Sequence, residues 1–453
     1  MKRHSLICRF RAGETQSVPV VETDSTVTEV PFVSGERAFD YGLGQLLDHL
    51  AKLGLQPSEA AFDLALLSAL VFCADTRISR GRDGQDSWTR EIDLYLPVSD
   101  VELWEANRQT LVTALHFLTG DEWRVFFRPR PEHFETIVPV PEQGEFPRFS
   151  CASLFSGGLD SYIGAVDLLA KGETPIFVSH YADGNTSPHQ KKCLANLKEA
   201  YRDSAFGSLL NYVSFGKDVI RDNPGESTQR GRSFLFFGLG LLAASGLEGD
   251  VTLHVPENGF IALNVPLDPL RLGSLSTRTT HPFYMARMND LAAGLRLNVR
   301  LYNHYRKQTK GQMVAGCQNK ALLVQTAKDT MSCSSPAKAR WKRLPQGHCG
   351  YCVPCLIRRA SLIKGLGSDD TPHYTVPDLG AHVFSAHKVD GQHVRSFQLA
   401  LANLEADPGS ADFAIHSPGP LSDVREEWAD LAKVYADGLH EVGAILQGVE
   451  VRP

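Results

Sequence analysis

The sequence predicts an α/β protein: a parallel sheet with helices on both faces, preceded by an α+β segment and carrying a four-cysteine knuckle. Two observations predict this. Between Phe149 and Val255, short apolar runs alternate with helical periods, the pattern of parallel strands joined by crossover helices. Four of the nine cysteines fall between Cys333 and Cys355, a bunching that suits a metal better than disulfides.

In chain order, residues 1–145 form the first unit. Val18–Val21 and Thr26–Val30 read as short strands, and Asp40–Leu53 and Ser58–Val71 as helices with Leu and Ala on a helical period. Glu91–Leu96 alternates polar and apolar, a half-buried strand; Trp104–Leu118 is a helix and Trp123–Phe127 a strand. The Pro-rich stretch Pro129–Pro147 reads as a linker. The second unit, 146–366, opens with Ser150–Phe155, a strand running into a Gly-rich loop. Then come helix Asp160–Ala170, strand Pro175–Tyr181, helix Lys191–Tyr201, strand Leu209–Phe215, helix Gly231–Ser245 and strand Val251–Val255, with Leu297–Leu301 as a fifth strand. The extension 367–453 is expected to be mostly helical, with a Pro/Gly-rich middle and a helix around Leu421–Leu446.

Net charge is −6, so no global basic field recruits nucleic acid or anionic membrane. No apolar run reaches membrane-spanning length, and Met1–Ala12 is too polar for a secretory signal. A cytoplasmic protein is expected, where thiols stay reduced.

The loop Ser156-Gly157-Gly158-Leu159-Asp160-Ser161 lies at the carboxyl end of a strand and the start of a helix, where α/β sheets bind ligands. Gly157 and Gly158 let backbone amides approach an anion, the helix adds its positive end, and Ser156 and Ser161 offer hydroxyls. The Gly-Lys-Ser/Thr of a Walker A loop is absent, so γ-phosphate transfer is not implied. Ser-Gly-Gly-x-Asp-Ser after an apolar strand resembles the PP-loop ATP pyrophosphatases. That resemblance implies a Rossmann-like, HUP-type sheet, ATP with Mg²⁺ on its phosphates, transfer of AMP to an oxygen, and pyrophosphate as product.

Cys349-x-x-Cys352-x-x-Cys355, with Cys333 upstream, supplies four soft thiolates that suit a structural tetrahedral Zn²⁺. An iron–sulfur cluster or unligated thiols are the alternatives. Arg358-Arg359 can screen such a site or contact phosphate. Cys8, Cys73, Cys151, Cys193 and Cys317 are scattered and read as small buried hydrophobes.

Loop first and knuckle downstream resembles the QueC family, the 7-cyano-7-deazaguanine synthases, over about residues 149–366. Gly231-Arg232-Ser233-x-x-x-Phe237, Thr309-Lys310-Gly311-Gln312-Met313 and Ser332-Cys333 with Cys349–Arg358 are similar to that family's segments. Its substrate-region motif is missing. Glu257-Asn258-Gly259, Asn264–Leu267 and Ser276–Pro282 stand in its place. Those blocks and the total length resemble the QatC proteins, QueC-like members of the Qat anti-phage defence systems. The resemblance implies adenylation of 7-carboxy-7-deazaguanine, then amide formation with an amine, the N-terminus of a partner protein from the same operon. Direct nitrile synthesis with ammonia, and a scaffold without turnover, are the rival readings.

The candidate residues follow. Ser156, Gly157, Gly158, Leu159 and Ser161 hold pyrophosphate; Asp160 holds Mg²⁺ or caps the helix; Arg232 and Lys310 are phosphate cations; Tyr181 lies beside the adenosine. Glu257, Asn258 and Gly259 read a guanine-like ring by hydrogen bonding. Arg278, Thr279 and Thr280 hold the carboxylate or position the amine, and His281 is a candidate general base.

Overall fold

The structure, a computed structural model, describes residues 2–10, 14, 16–34, 38–181, 186–268, 278–334, 336–337, 343 and 347–453. The chain begins with strands β1 (Arg3–Arg9) and β2 (Thr26–Pro31) and a two-residue hairpin of β3 (Val33–Ser34) with β4 (Ala38–Phe39). Helices α1 (Leu43–Lys52), α2 (Glu59–Arg77) and α3 (Arg80–Asp83) follow, then β5 (Glu91–Val98), α4 (Val101–Thr119) and β6 (Glu122–Pro129). The sheet order is β2-β1-β5-β6 and every ladder in it is parallel. Helical crossovers thus make this unit α/β, correcting the α+β expectation.

Strand β1 is the element the sequence hid. Its residues His4 and Ser5 are fully buried, yet His4 Nε2 meets Asp83 Oδ2 at 3.0 Å and Ser5 Oγ meets Ser25 Oγ at 2.7 Å. Val18–Val21 is not a strand: its chain is held from the side, Val21 N donating to the Tyr95 hydroxyl at 2.8 Å. Strand β5 is buried beyond Glu91 rather than half-buried, because it lies between β1 and β6. Its buried Asp93 is paired with Arg3 at 2.9 Å and Arg124 at 2.8 Å. The Pro-rich stretch is irregular as expected, but Glu59 straps it to α2, accepting Ile137 N and Val138 N, each at 3.0 Å.

The second sheet contains β7 (Cys151–Leu154), β8 (Pro175–Tyr181), β9 (Gly207–Tyr212), β10 (Val251–His254) and β11 (Val299–Tyr302), in the order β11-β10-β7-β8-β9, all parallel. Its helices are α5 (Leu159–Ala170), α6 (Ser187–Ala200), α7 (Arg232–Ser245), α8 (Gly259–Leu263) and α9 (Pro282–Gly294). The two-residue period of a strand divides its side chains between faces. Ala152, Leu154, Ile176 and Val178 share a core with α7, while Cys151 and Phe177 pack with α5 and α6. Helix α7 is also wedged against α2 so closely that a Cβ on Gly238 would sit 2.4 Å from Ser68 Oγ. One hydrophobic core therefore runs from Leu6 through α2 and α7 to Leu301.

The remainder is α10 (Lys310–Gly316), α11 (Lys320–Thr326), α12 (Val353–Leu366), β12 (Phe384–Ser385), α13 (Val389–Ala406), α14 (Ser410–Ala414), α15 (Trp428–Leu446) and β13 (Val451–Arg452), β13 pairing with β12. Helix α13 was not anticipated; it buries Val394, Phe397, Ala400 and Leu404 as one stripe. Helices α12 to α15 form a second core with Phe260 and Leu263 of α8. No described helix is long and apolar enough to cross a membrane.

Strand order reverses at β7: the chain runs outward through β8 and β9, then returns to β10 on the other side. The crevice above β7 and β10 is the topological switch point, where open α/β sheets bind ligands.

Candidate active site

The Ser156–Ser161 loop leaves β7 at that crevice. Gly157 has φ of +78°, and a Cβ there would lie 2.9 Å from Gln190 Cγ, so glycine is required by both conformation and space. Ser156 Oγ accepts Gly158 N at 3.2 Å and lies 3.1 Å from Ser161 Oγ. Gly158 is the N-cap of α5 and provides no side-chain cap, so the first-turn amides stay available to an anion. Asp160 is the second residue of α5 and does not cap it, so the expected capping role does not hold.

Asp160 instead anchors a buried cluster with residues from two other loops. Asn258 Nδ2 donates to Asp160 Oδ2 at 2.9 Å and to Glu257 Oε1 at 3.3 Å, and Lys310 Nζ lies 3.3 Å from Asp160 Oδ2. Asp160, Asn258 and Lys310 are all buried. Asn258 Oδ1 also caps α8, accepting Ile261 N at 3.0 Å. Its side chain is thereby committed to bracing the wall, a different task from reading a ring. Gly259 permits a close approach, but to protein: a Cβ there would lie 2.1 Å from Arg306 O. The loops after β10 and β11 are joined by Asn303 Nδ2 to Glu257 O and Gly259 N to Gln308 O, both at 2.8 Å.

The surroundings drive the two carboxyls in opposite net directions. Burial and then the Asp160 charge push Glu257 well above the usual carboxylate range. Burial also raises Asp160, but the Lys310 charge and the hydrogen bonds around it outweigh that and hold it below its ordinary value. Of the two carboxyls, Glu257 is the one whose surroundings favour the proton and Asp160 the one whose surroundings favour the charge. Asp160 Oδ1 is buried without a hydrogen-bond partner among the described residues, which fits an oxygen reserved for a cation.

Lys310 opens α10 behind a reciprocal capping box: Thr309 Oγ1 accepts Gln312 N at 3.1 Å, and Gln312 Oε1 accepts Thr309 N at 2.9 Å. The Thr-x-x-Gln spacing could have revealed this box in the sequence. Arg232, the first residue of α7, reaches His180 Nδ1 and His180 O, each at 3.4 Å. Gln190 Nε2 donates to the same carbonyl at 3.2 Å and to Ser156 O at 3.4 Å, tying Arg232 to the loop. Gln190 and His180 had no motif to signal them. Tyr181 ends β8 with its ring 5.4 Å from that of Tyr212.

The 278–281 segment lies elsewhere than expected. Arg278 donates to Phe117 O at 3.1 Å and lies 4.8 Å over the Phe117 ring, so it docks on α4. Thr279 Oγ1 is 2.6 Å from Ser233 Oγ, beside Arg232, and Thr280 is buried. His281 caps α9, its Nδ1 accepting Phe283 N at 3.2 Å, with no exposed surface. Burial, then the Arg278 charge, push it down to about 3. A sealed helix cap is what this geometry makes of the candidate base. Ser276 and Thr277 lie outside the described residues. Asn264 ends α8 in the left-handed region and Leu267 belongs to the C-terminal core.

Cys333, Cys349, Cys352 and Cys355 are buried with their sulfurs within 4.8 Å of one another. Cys333 and Cys352 sulfurs are 3.9 Å apart, Cys349 and Cys355 sulfurs 3.8 Å. A tetrahedral ion with bonds of about 2.3 Å would set its thiolates about 3.8 Å apart, so the set can bind a metal and is consistent with zinc. Arg358 donates to Thr330 Oγ1 at 2.7 Å and Ala327 O at 2.6 Å, and Arg359 donates to Pro377 O at 2.9 Å. Both arginines brace backbone here. The knuckle also reaches the loop: Met331 N donates to Gly157 O at 2.9 Å, and Ser332 N to His348 Nε2 at 3.2 Å. The remaining five cysteines are buried, and no cysteine is paired in a disulfide.

No family model and no curated protein matches this chain.

Proposed function

We propose that this chain is an ATP-dependent adenylating enzyme of anti-phage defence, acting in the cytoplasm on 7-carboxy-7-deazaguanine. One observation carries the reading: Asp160, Lys310, Glu257 and Asn258 meet at the switch point directly beside the anion-accepting Ser156–Ser161 loop. The resemblance to QueC-like PP-loop proteins supplies the substrate class.

The substrate carboxylate attacks the α-phosphorus of ATP, the α–β anhydride bond breaks, and pyrophosphate leaves. The amides of Leu159 and Ser161 and the two serine hydroxyls receive the departing pyrophosphate. Lys310 and Arg232 oppose the charge that builds on the phosphates. Asp160 would hold Mg²⁺ through Oδ1; when bound, the ion neutralises phosphate charge. Glu257, whose surroundings favour the protonated form, relieves the repulsion that two carboxylates would bring to this wall. An amine then attacks the acyl carbon, loses a proton, and displaces AMP. The four cysteines would hold Zn²⁺ as a structural ion with no open position.

The N-terminus of a partner protein from the same operon is the acceptor in this reading. Residues 1–145 share a core with α7, so their presence alone does not mark a docking domain. The test therefore includes both acceptors. The protein is incubated with ATP, Mg²⁺, 7-carboxy-7-deazaguanine and either ammonia or the neighbouring gene's product. AMP with a mass increase on the partner supports the proposal. AMP with free nitrile supports the ammonia reading. No AMP under any condition, with Asp160→Ala indistinguishable from wild type, leaves only the scaffold.

A further inference from the structure

The C-terminal helix α15 turns one stripe toward the 306–312 segment. Glu427, Asp430, Val434, Asp437 and Glu441 recur at intervals of three and four, the spacing of one helical face. Arg306 Nε is 2.7 Å from Glu427 Oε2. Lys307 Nζ is 2.9 Å from Asp430 Oδ2. Val434 packs against Gly259, where a Cβ would come within 2.9 Å of its Cγ1. Gln312 Nε2 reaches Asp437 Oδ2 at 3.4 Å. Glu441 ends the stripe. Its Oε1 accepts the Thr309 hydroxyl at 2.5 Å and its Oε2 the Gly311 amide at 3.2 Å. Those residues flank Lys310 on both sides. A Cβ on Gly311 would sit 2.6 Å from the Glu441 carboxylate, so the sequence at 311 makes room for it.

Lys310 itself has one ion-pair partner among the described residues, Asp160. A lysine ammonium sits on a flexible stem, and its position is set by where its helix begins. The start of α10 is fixed from outside by Glu441, from a part of the chain that carries no nucleotide motif. We propose that Glu441 is a positioning residue: through Thr309 and Gly311 it sets the start of α10 and so holds the Lys310 ammonium on Asp160 at the edge of the phosphate path. This rests on the adenylation reading.

Two measurements test it in the full chain. The first needs no turnover: labelling of Lys310 by an amine-directed acylating reagent, followed by peptide mass and normalised to total lysine labelling. Glu441→Ala should raise the Lys310 rate about tenfold, since a buried paired lysine becomes free to leave its carboxylate. An unchanged rate overturns the proposal. The second is AMP formation in a double-mutant cycle. Glu441→Ala should lower kcat/KM about tenfold, one lost alignment of a charged donor being of that order. Glu441→Gln, which keeps one acceptor and the same volume, should fall between, and it carries the cycle if the alanine variant does not fold. Lys310→Ala with Glu441→Ala should be no worse than Lys310→Ala alone. Losses that multiply would make Glu441 a general structural residue and overturn the proposal. If Lys310→Ala forms AMP at the wild-type rate, Lys310 plays no part in the chemistry and the present inference fails; if the wild-type protein forms no AMP, the adenylation reading fails instead. If Lys310→Ala is impaired while Glu441→Ala is not, only the present inference fails.

Discussion

Asp75 Oδ2 accepts the backbone N–H of Gly231 at 2.7 Å. Asp75 lies near the end of α2, and Gly231 is the N-cap of α7, one residue before Arg232. A buried carboxylate from the N-terminal unit thus fixes the start of the helix that presents a candidate phosphate cation. Its other oxygen binds Arg90 at 2.7 Å and Arg80 at 3.4 Å. Asp121 binds the same two arginines at 2.7 and 2.8 Å. All four side chains are buried. Removing one member leaves buried guanidinium charge under-compensated, which typically costs about 3–5 kcal/mol. Asp75→Ala should lose that much stability in urea unfolding, and Asp75→Asn less, because an amide oxygen can still accept Gly231 N. A loss near zero for the alanine variant would show that this joint does not hold the two sheets together.

Asp160→Asn tests the centre of the site. The substitution keeps the shape and an acceptor for Asn258 but removes the charge that pairs with Lys310 and the oxygen proposed for Mg²⁺. Loss of one preorganised electrostatic group typically lowers kcat about 100-fold or more. AMP release measured by chromatography should fall by at least that factor, with the protein still folded by circular dichroism. Wild-type turnover in this variant would remove Asp160 from the mechanism.

The cysteine knuckle is predicted to act on the loop at a distance. Met331 N bonds Gly157 O, and Cys333 follows two residues later. Cys352→Ser should lower bound zinc from about one equivalent to a small fraction, because three thiolates seldom hold a structural ion. Without the ion, the 331–333 segment loses its anchor and Gly157 its partner. ATP affinity measured by calorimetry should weaken about tenfold, the size of one lost hydrogen bond to a positioned loop. A variant that loses zinc yet binds ATP as tightly as wild type would separate the knuckle from the loop.

Local patterns were legible in the sequence, and long-range pairings were not. The loop at Ser156–Ser161 could be read because its chemistry lies in six consecutive residues. The parallel sheet could be read because alternation between β7 and β10 is local, and the knuckle because its cysteines are close in sequence. Strand β1 was missed because His4 and Ser5 look like surface residues until their partners, 79 and 20 residues away, are known. Asp75 and Glu441 look like ordinary helix-surface acids for the same reason, since their partners are backbone amides 156 and 130 residues distant. A polar block before a helix looks like a site, which is why the sequence offers Arg278 for the substrate and His281 as a general base. Their burial against Phe117 depends on α4, which no local pattern connects to them.

His281 supplies a prediction with a definite sign in pH. The unfolded ring takes up a proton near 6.5, whereas the folded ring resists until about 3. Between those values the unfolded state binds more protons, so stability contributed at neutral pH is lost as pH falls. The loss amounts to about 1.4 kcal/mol per pH unit, or about 2 kcal/mol at pH 5. Asn is a good N-cap and does not titrate, so His281→Asn can still accept Phe283 N without this acid sensitivity. Urea unfolding at pH 7 and pH 5 should show the variant gaining about 2 kcal/mol on wild type over that interval. Parallel pH profiles would mean that the ring is not buried neutral in solution. The same variant addresses catalysis: a general base typically contributes about 100-fold or more, whereas a sealed cap contributes nothing to the chemical step. AMP formation by His281→Asn at pH 7.5 should therefore stay close to wild type, and a 100-fold loss with unchanged stability would return His281 to the chemistry.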